Sequence, residues 1–425
     1  MGQPWENPNY GNDRRRKRLV LVPLLLGAAG AFVFWLLQRG APGNPAAPAA
    51  EKSSSRPVAV SRSVAPETAK PTAESPGDLA PEFTYAGGGS GPLPDEARNA
   101  ADALFAAGKF DMALEAYNRL AQADPSSRGR AGLCLARLGR WSEAVAELQV
   151  ALNAQPNDFA ARKWLALALY RQNELKPALE QVQAALALQL DEELLDLQAK
   201  LQKEIRVQRN YDDARTANFV VLFDGREHDE MKHTVLDILK SAYAEIGKEL
   251  DYFPGQPISV ILYTARDFSD VTSAPVWAGG MFGQLDGKIR LPVQGAAGHE
   301  QALRRVLTHE YTHALLYALA PGCPIWLQEG LAQYFCGDEP VNAGQVIPLP
   351  MLANKFPSGS RAALVAYMES LQVVVDLVQE HGMPRLRRLL DELGSGSDLE
   401  AAFAAAYGEP FSRWAEQWRP LQREE

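Results

Sequence analysis

Leu307-Thr-His-Glu-Tyr-Thr-His-Ala-Leu315, with Pro324-Ile-Trp-Leu-Gln-Glu-Gly-Leu-Ala-Gln-Tyr334 close behind it, decides how this chain is read. The apolar residues flanking the first stretch predict a helix over Leu303–Leu319, so His309 and His313, four residues apart, project from one face. Two neutral imidazoles at that spacing can ligate one Zn²⁺ at about 2.0–2.1 Å each. Glu310 points to the same side and can take a proton from a water without itself binding the metal. A catalytic zinc also needs a third protein ligand and an open position, and Glu329 is well placed to be the third. The competing reading is a core helix with two satisfied His. It would leave several buried polar groups seeking partners.

His309-Glu310-x-x-His313, with fifteen residues before Glu329 inside Trp-Leu-x-Glu-Gly-Leu-Ala-x-Tyr, resembles the gluzincin metallopeptidases. More narrowly, it is similar to the peptidase MA-like domains of bacteria that follow tetratricopeptide repeats. The resemblance implies zinc on His309, His313 and Glu329, Glu310 as general base, and an α+β domain with a helical C-terminal part over 217–425. It also implies a Tyr that steadies the developing oxyanion, for which Tyr367 is a candidate beside an ordinary core role. One departure is Gln333, four residues after the ligand Glu, where thermolysin-like members carry an Asp.

Upstream, Ala217–Gly225 and Ile258–Tyr263 are β-branched and aromatic runs that predict strands, with a helix over His228–Leu250 between them. Met281–Leu285 and Lys288–Val293, joined by Asp286-Gly287, predict a hairpin with a tight turn. In gluzincins an edge strand lies above the metal and pairs with extended substrate; the resemblance implies a similar role near Gly279–Gln284, with an ordinary sheet edge as the equal alternative. Downstream, helices are predicted over Ala362–Val378, Pro384–Leu393, Asp398–Tyr407 and Phe411–Leu421. Cys323 and Cys336 flank a helix that would hold their Cα atoms roughly 15–20 Å apart, too far for a disulfide. They are expected to be buried thiols, as is Cys134. His228, His233, His299 and His381 have no ligand spacing and read as ordinary surface or cap residues.

Working further outward, Ala113, Ala144 and Ala178 align three similar units at separations of 31 and 34 residues. Gly108–Tyr117 matches Gly139–Leu148, and Asn173–Val182 is a looser copy. The units resemble tetratricopeptide repeats over 95–209, with a shortened first helix in the second unit and Asp191–Val207 as a cap. Such arrays present a concave groove to a peptide or protein partner, unless they are a plain helical spacer.

The N-terminal 93 residues predict an anchor and a tether. Basic Arg14–Arg18, in the 1–18 segment, precedes Leu19–Leu37, nineteen residues without a charge and long enough to span a ~30 Å hydrocarbon core. This predicts a transmembrane signal anchor at 19–37, uncleaved in preference to the alternative of a cleaved signal peptide, whose apolar core is usually shorter. The N-terminus is then cytoplasmic and the bulk extracytoplasmic, as in a bacterial periplasm. The Pro/Ala/Gly/Ser-rich 38–94 segment predicts a disordered linker. The full chain has 425 residues and a net charge of −9, which gives no reason to expect nucleic acid. The whole reads as a multi-domain, membrane-anchored zinc metallopeptidase acting on a peptide or protein substrate. The rival is a non-catalytic envelope scaffold whose repeats bind a protein partner and whose zinc domain is inert or structural.

Overall fold

The computed structural model describes residues 94–225, 231–274, 279–293, 300–341, 347–357 and 360–419. The expected anchor, and the tether up to residue 93, lie outside the described residues, as do His228 and His299.

The repeats form antiparallel helix pairs: α1 (Pro94–Ala106) with α2 (Phe110–Leu120), α3 (Ser127–Arg137) with α4 (Trp141–Ala154), and α5 (Phe159–Arg171) with α6 (Leu175–Leu188). Helix α7 (Glu192–Val207) follows, its first turn capped by the Asp191 side chain on the Leu194 N–H. Ala113, Ala144 and Ala178 are fully buried at the crossings, where a small side chain lets the paired helices approach. As the 31-residue spacing predicts, α3 is shorter than its counterparts, 11 residues against 13 in α1 and α5.

The second half is built on a sheet of order β1-β2-β3-β5-β4. Its strands are β1 (Tyr211–Arg215), β2 (Phe219–Asp224), β3 (Ile258–Tyr263), β4 (Met281–Gly283) and β5 (Lys288–Pro292). β2, β3 and β5 run parallel, while β1 and β4 are antiparallel edges. Helix α8 (Met231–Leu250) makes the crossover from β2 to β3, and α9 (Ala265–Thr272) lies between β3 and β4.

Two features differ from the sequence expectation. The sheet begins at Tyr211, ahead of residue 217, because β1 pairs its polar Tyr-Asp-Asp-Ala-Arg with β2 as an exposed edge and shows no apolar alternation. In the hairpin, β4 stops at Gly283 instead of Leu285. The carbonyl of Gly283 accepts from the N–H of both Asp286 and Gly287, so the connection spans four residues, and Gly287 adopts φ +66°.

Alternation along the strands sends Phe219, Val221, Phe223, Val260, Leu262, Ile289 and Leu291 to one face. There they share a core with α8 and with α10 (Glu300–Leu319), α11 (Ile325–Phe335), α12 (Ser360–His381), α13 (Met383–Gly394), α14 (Leu399–Tyr407) and α15 (Phe411–Gln417). The last helix ends at Gln417, short of Leu421, because Trp418 turns to an extended conformation. Helix α12 is long and apolar enough to cross a membrane, but it is largely buried among these helices.

Gly330, next to Glu329, is where α11 meets α12. A Cβ there would stand 2.3 Å from the Ser370 carbonyl oxygen and 2.6 Å from Val374 Cγ2. Gly330→Ala is therefore expected to force the helices apart and destabilise the domain by about 1–3 kcal/mol. A urea titration reads this directly, and a wild-type midpoint would contradict the close packing.

The opposite face of the sheet meets the repeats. Lys288 and Arg290 project from β5 into a buried cluster with Glu204 and Lys200 of α7, Tyr170 of α5 and Asp286 of the hairpin turn. Arg290 donates to Glu204 Oε1 at 2.8 Å and to the Tyr170 hydroxyl at 3.2 Å, and it pairs with both oxygens of Asp286. Lys288 reaches Asn173 Oδ1 at 2.7 Å. The hairpin and the repeats are thus joined by charge, with the side chains of Glu204, Asp286, Lys288 and Arg290 fully removed from solvent and Lys200 at the margin.

Candidate metal centre

Helix α10 buries Leu307, Tyr311, Ala314 and Leu315 in the core and turns His309 and His313 toward α11. The following turn and the Pro324 start of α11 bring Glu329 back against them. His309 Nε2 and His313 Nε2 are 3.2 Å apart, and Glu329 Oε2 lies 3.4 Å from the first and 3.6 Å from the second. Donor atoms around a tetrahedral cation with bonds of about 2.0–2.1 Å stand roughly 3.3–3.4 Å from one another. The triangle has that size. Glu329 is 3 % exposed, and its Oε2 is buried without a hydrogen-bond donor directed at it. A buried carboxylate oxygen converging with two imidazole nitrogens, and saturated by neither, is a donor set that a divalent cation would satisfy.

The electrostatics agree. Burial pushes the Glu329 carboxyl up, but His313 and His309 outweigh it and hold it down at about 2, so it stays ionised. Burial lowers the His313 imidazole, whereas the Glu329 charge more than offsets this and raises it. Glu310 is 5 % exposed, and burial raises its carboxyl despite the opposing His309 and His313. A carboxylate so perturbed is suited to accept a proton.

Other neighbours were not evident from sequence. Edge strand β4 passes close to Glu310, and the Phe282 backbone N–H is among the groups that oppose the effect of burial on its carboxyl. Gly280 makes this possible: a Cβ there would stand 3.0 Å from Glu310 Cγ and 2.8 Å from Val306. Asp338 is held by Arg305, one turn before His309, and keeps Oδ1 buried without a partner. Gln333 turns its amide to the carbonyls of Glu329 and Tyr367, each at 3.0 Å, and so braces α11 against α12. Tyr367 is 1 % exposed and packs edge-to-face on Phe356 in the core. Cys134, Cys323 and Cys336 are unbonded, and the Cys336 thiol donates to the Arg305 carbonyl. His233 and His381 are exposed.

A helical repeat array docked on an α+β domain with a His-Glu-x-x-His helix defines the class. Residues 240–423 match the family model of the Peptidase MA superfamily, and residues 98–158 and 131–192 match a tetratricopeptide repeat model. The chain therefore carries tetratricopeptide repeats followed by a Peptidase MA superfamily domain, which suggests a metallopeptidase. No curated protein matches the chain.

Proposed function

We propose that the chain is a membrane-anchored, extracytoplasmic zinc peptidase, with His309, His313 and Glu329 as ligands and Glu310 as general base. The observation that carries this is the convergence of His309 Nε2, His313 Nε2 and Glu329 Oε2 beside a buried carboxylate that coordinates nothing. Zinc held there supplies Lewis acidity, polarising a scissile carbonyl and acidifying a water. Glu310 takes the proton from the attacking water and returns it to the leaving amine. The ionised Glu329 balances charge at the ligand triangle, and β4 presents backbone to an extended chain. The Leu19–Leu37 anchor and the linker hold these parts off the membrane, and the repeats hold substrate or a protein partner.

The test combines metal analysis with digestion of a broad peptide library, with and without chelator. One zinc per chain is expected, with cleavage that stops on chelation and returns on adding zinc. Stoichiometric metal with no cleavage of any peptide would replace this reading by the envelope scaffold.

A further inference from the structure

The repeats reach the cleft through one side chain. Arg171, the last residue of α5, donates from Nη2 to the carbonyl of Gln284 at 2.9 Å and to the hydroxyl of Tyr317 at 2.9 Å. Its guanidinium stacks 4.3 Å above the Trp141 ring and lies 5.4 Å from the Tyr317 ring. Tyr317 is one turn beyond His313 on α10, on the face that carries the two imidazoles. Its ring meets Phe282 of β4 at 5.7 Å. The Arg171 head group is thus pinned from four sides at the end of the edge strand that covers Glu310.

Its charge has no counterpart. No carboxylate among the described residues lies within ion-pair distance of Arg171, and its Nε is buried without an acceptor. Arg137, 34 residues earlier and in the equivalent repeat position, stacks on Phe110 and Trp164 in the same way but is exposed to solvent. Ring stacking is therefore a feature of the repeats, whereas the grip on Gln284 and Tyr317 belongs to Arg171. With Nη2 engaged and Nε buried, Nη1 is left to donate to a carboxylate, so the fixed guanidinium offers one charge-assisted hydrogen bond there.

Position fixes where that carboxylate would lie. β4 is the terminal strand of the sheet, and the backbone just before it, at Gly280, lies against the Glu310 side chain. A peptide offered to Glu310 runs along this edge. Gln284, two residues beyond Phe282 and the first residue of the turn after β4, lies at most roughly 7 Å along the chain from it. There the edge ends, because Arg171 occupies the Gln284 carbonyl.

Resting on the peptidase reading above, we propose that Arg171 is a specificity-determining residue. It accepts a carboxylate, from an acidic side chain or a C-terminus, about two to three residues from the bond cleaved. The repeats then form a wall of the cleft and select substrate there.

The test uses the full zinc-loaded chain and two pools of internally quenched octapeptides. The pools are alike except that one carries Asp and Glu where the other carries Asn and Gln, and each is made with a free or an amidated C-terminus. The wild type is expected to show about tenfold higher kcat/KM on the acidic or free-terminus peptides, falling with added salt. Arg171→Met is expected to bring that ratio to about one, and Arg171→Lys to keep part of it, zinc content and melting temperature being followed in each. Loss of the preference on amidation assigns the terminus, and its persistence assigns the side chain. Equal wild-type cleavage of all pools overturns the inference and leaves the peptidase reading intact. Cleavage of none, with zinc bound, overturns that reading itself.

Discussion

Glu310→Gln is expected to slow peptide hydrolysis by about 10²–10⁴-fold while zinc content stays at the wild-type value. The substitution keeps the shape of the side chain, so its packing against Gly280 just before β4 is undisturbed. What it removes is the capacity to take a proton. Glu329 does not stand in for it, being committed to the imidazoles and held ionised at about 2, and Asp338 is tied to Arg305. His309→Ala and Glu329→Gln behave differently: each opens the triangle of donors and is expected to lose metal and activity together. The pair of outcomes separates the proton carrier from the ligands. Metal analysis beside initial rates on a cleaved library peptide measures it, and a Glu310→Gln variant hydrolysing at the wild-type rate would remove Glu310 from the mechanism.

The parts of this molecule written in local pattern were legible in the sequence. A five-residue motif on an apolar helix placed His309, Glu310 and His313 on one face, and the spacing of the repeats even announced the shorter α3. Glu329 was reachable because the connection to α11 is short. Long-range electrostatics was another matter. Lys288-Ile-Arg-Leu reads as a strand with its charges in water and its apolar residues inside, yet all four are buried. The far face is covered by α5 and α7, whose Tyr170 and Glu204 lie 120 and 86 residues away from Arg290. Nothing near β5 in the chain announces those partners. The same reason hid Arg171, whose two cleft contacts lie 113 and 146 residues downstream. Strand β1 was missed for a different cause: an exposed edge can be all polar, and its identity comes from pairing with β2.

Arg290→Met is expected to cost about 3–5 kcal/mol of stability and to loosen the repeats from the Peptidase MA superfamily domain. Arg290 is fully buried, and burial would weaken its charge, yet Asp286 and Glu204 more than offset that and keep it protonated. Lys288, also fully buried, is pushed down by desolvation to about 8, so it still carries most of its charge at neutral pH and loses it as the pH rises through 8. Without Arg290, Glu204 would keep only Lys288 at 3.9 Å and Asp286 only Lys200 at 3.8 Å, each a longer contact to a lysine whose charge burial weakens. An unpaired buried carboxylate is far more costly than an absent pair, so Arg290→Met combined with Glu204→Gln should cost less than the two single losses added together. The cluster also carries the hairpin whose edge lies over Glu310 and ends at Arg171. The single variant should therefore lose peptidase activity at temperatures where zinc is still bound, and proteolysis should first cut near the α7 to β1 junction. Chemical denaturation followed by two probes, one in each half, would show it. A loss below about 1 kcal/mol with coincident transitions would mean that the charges at this junction carry little of the docking.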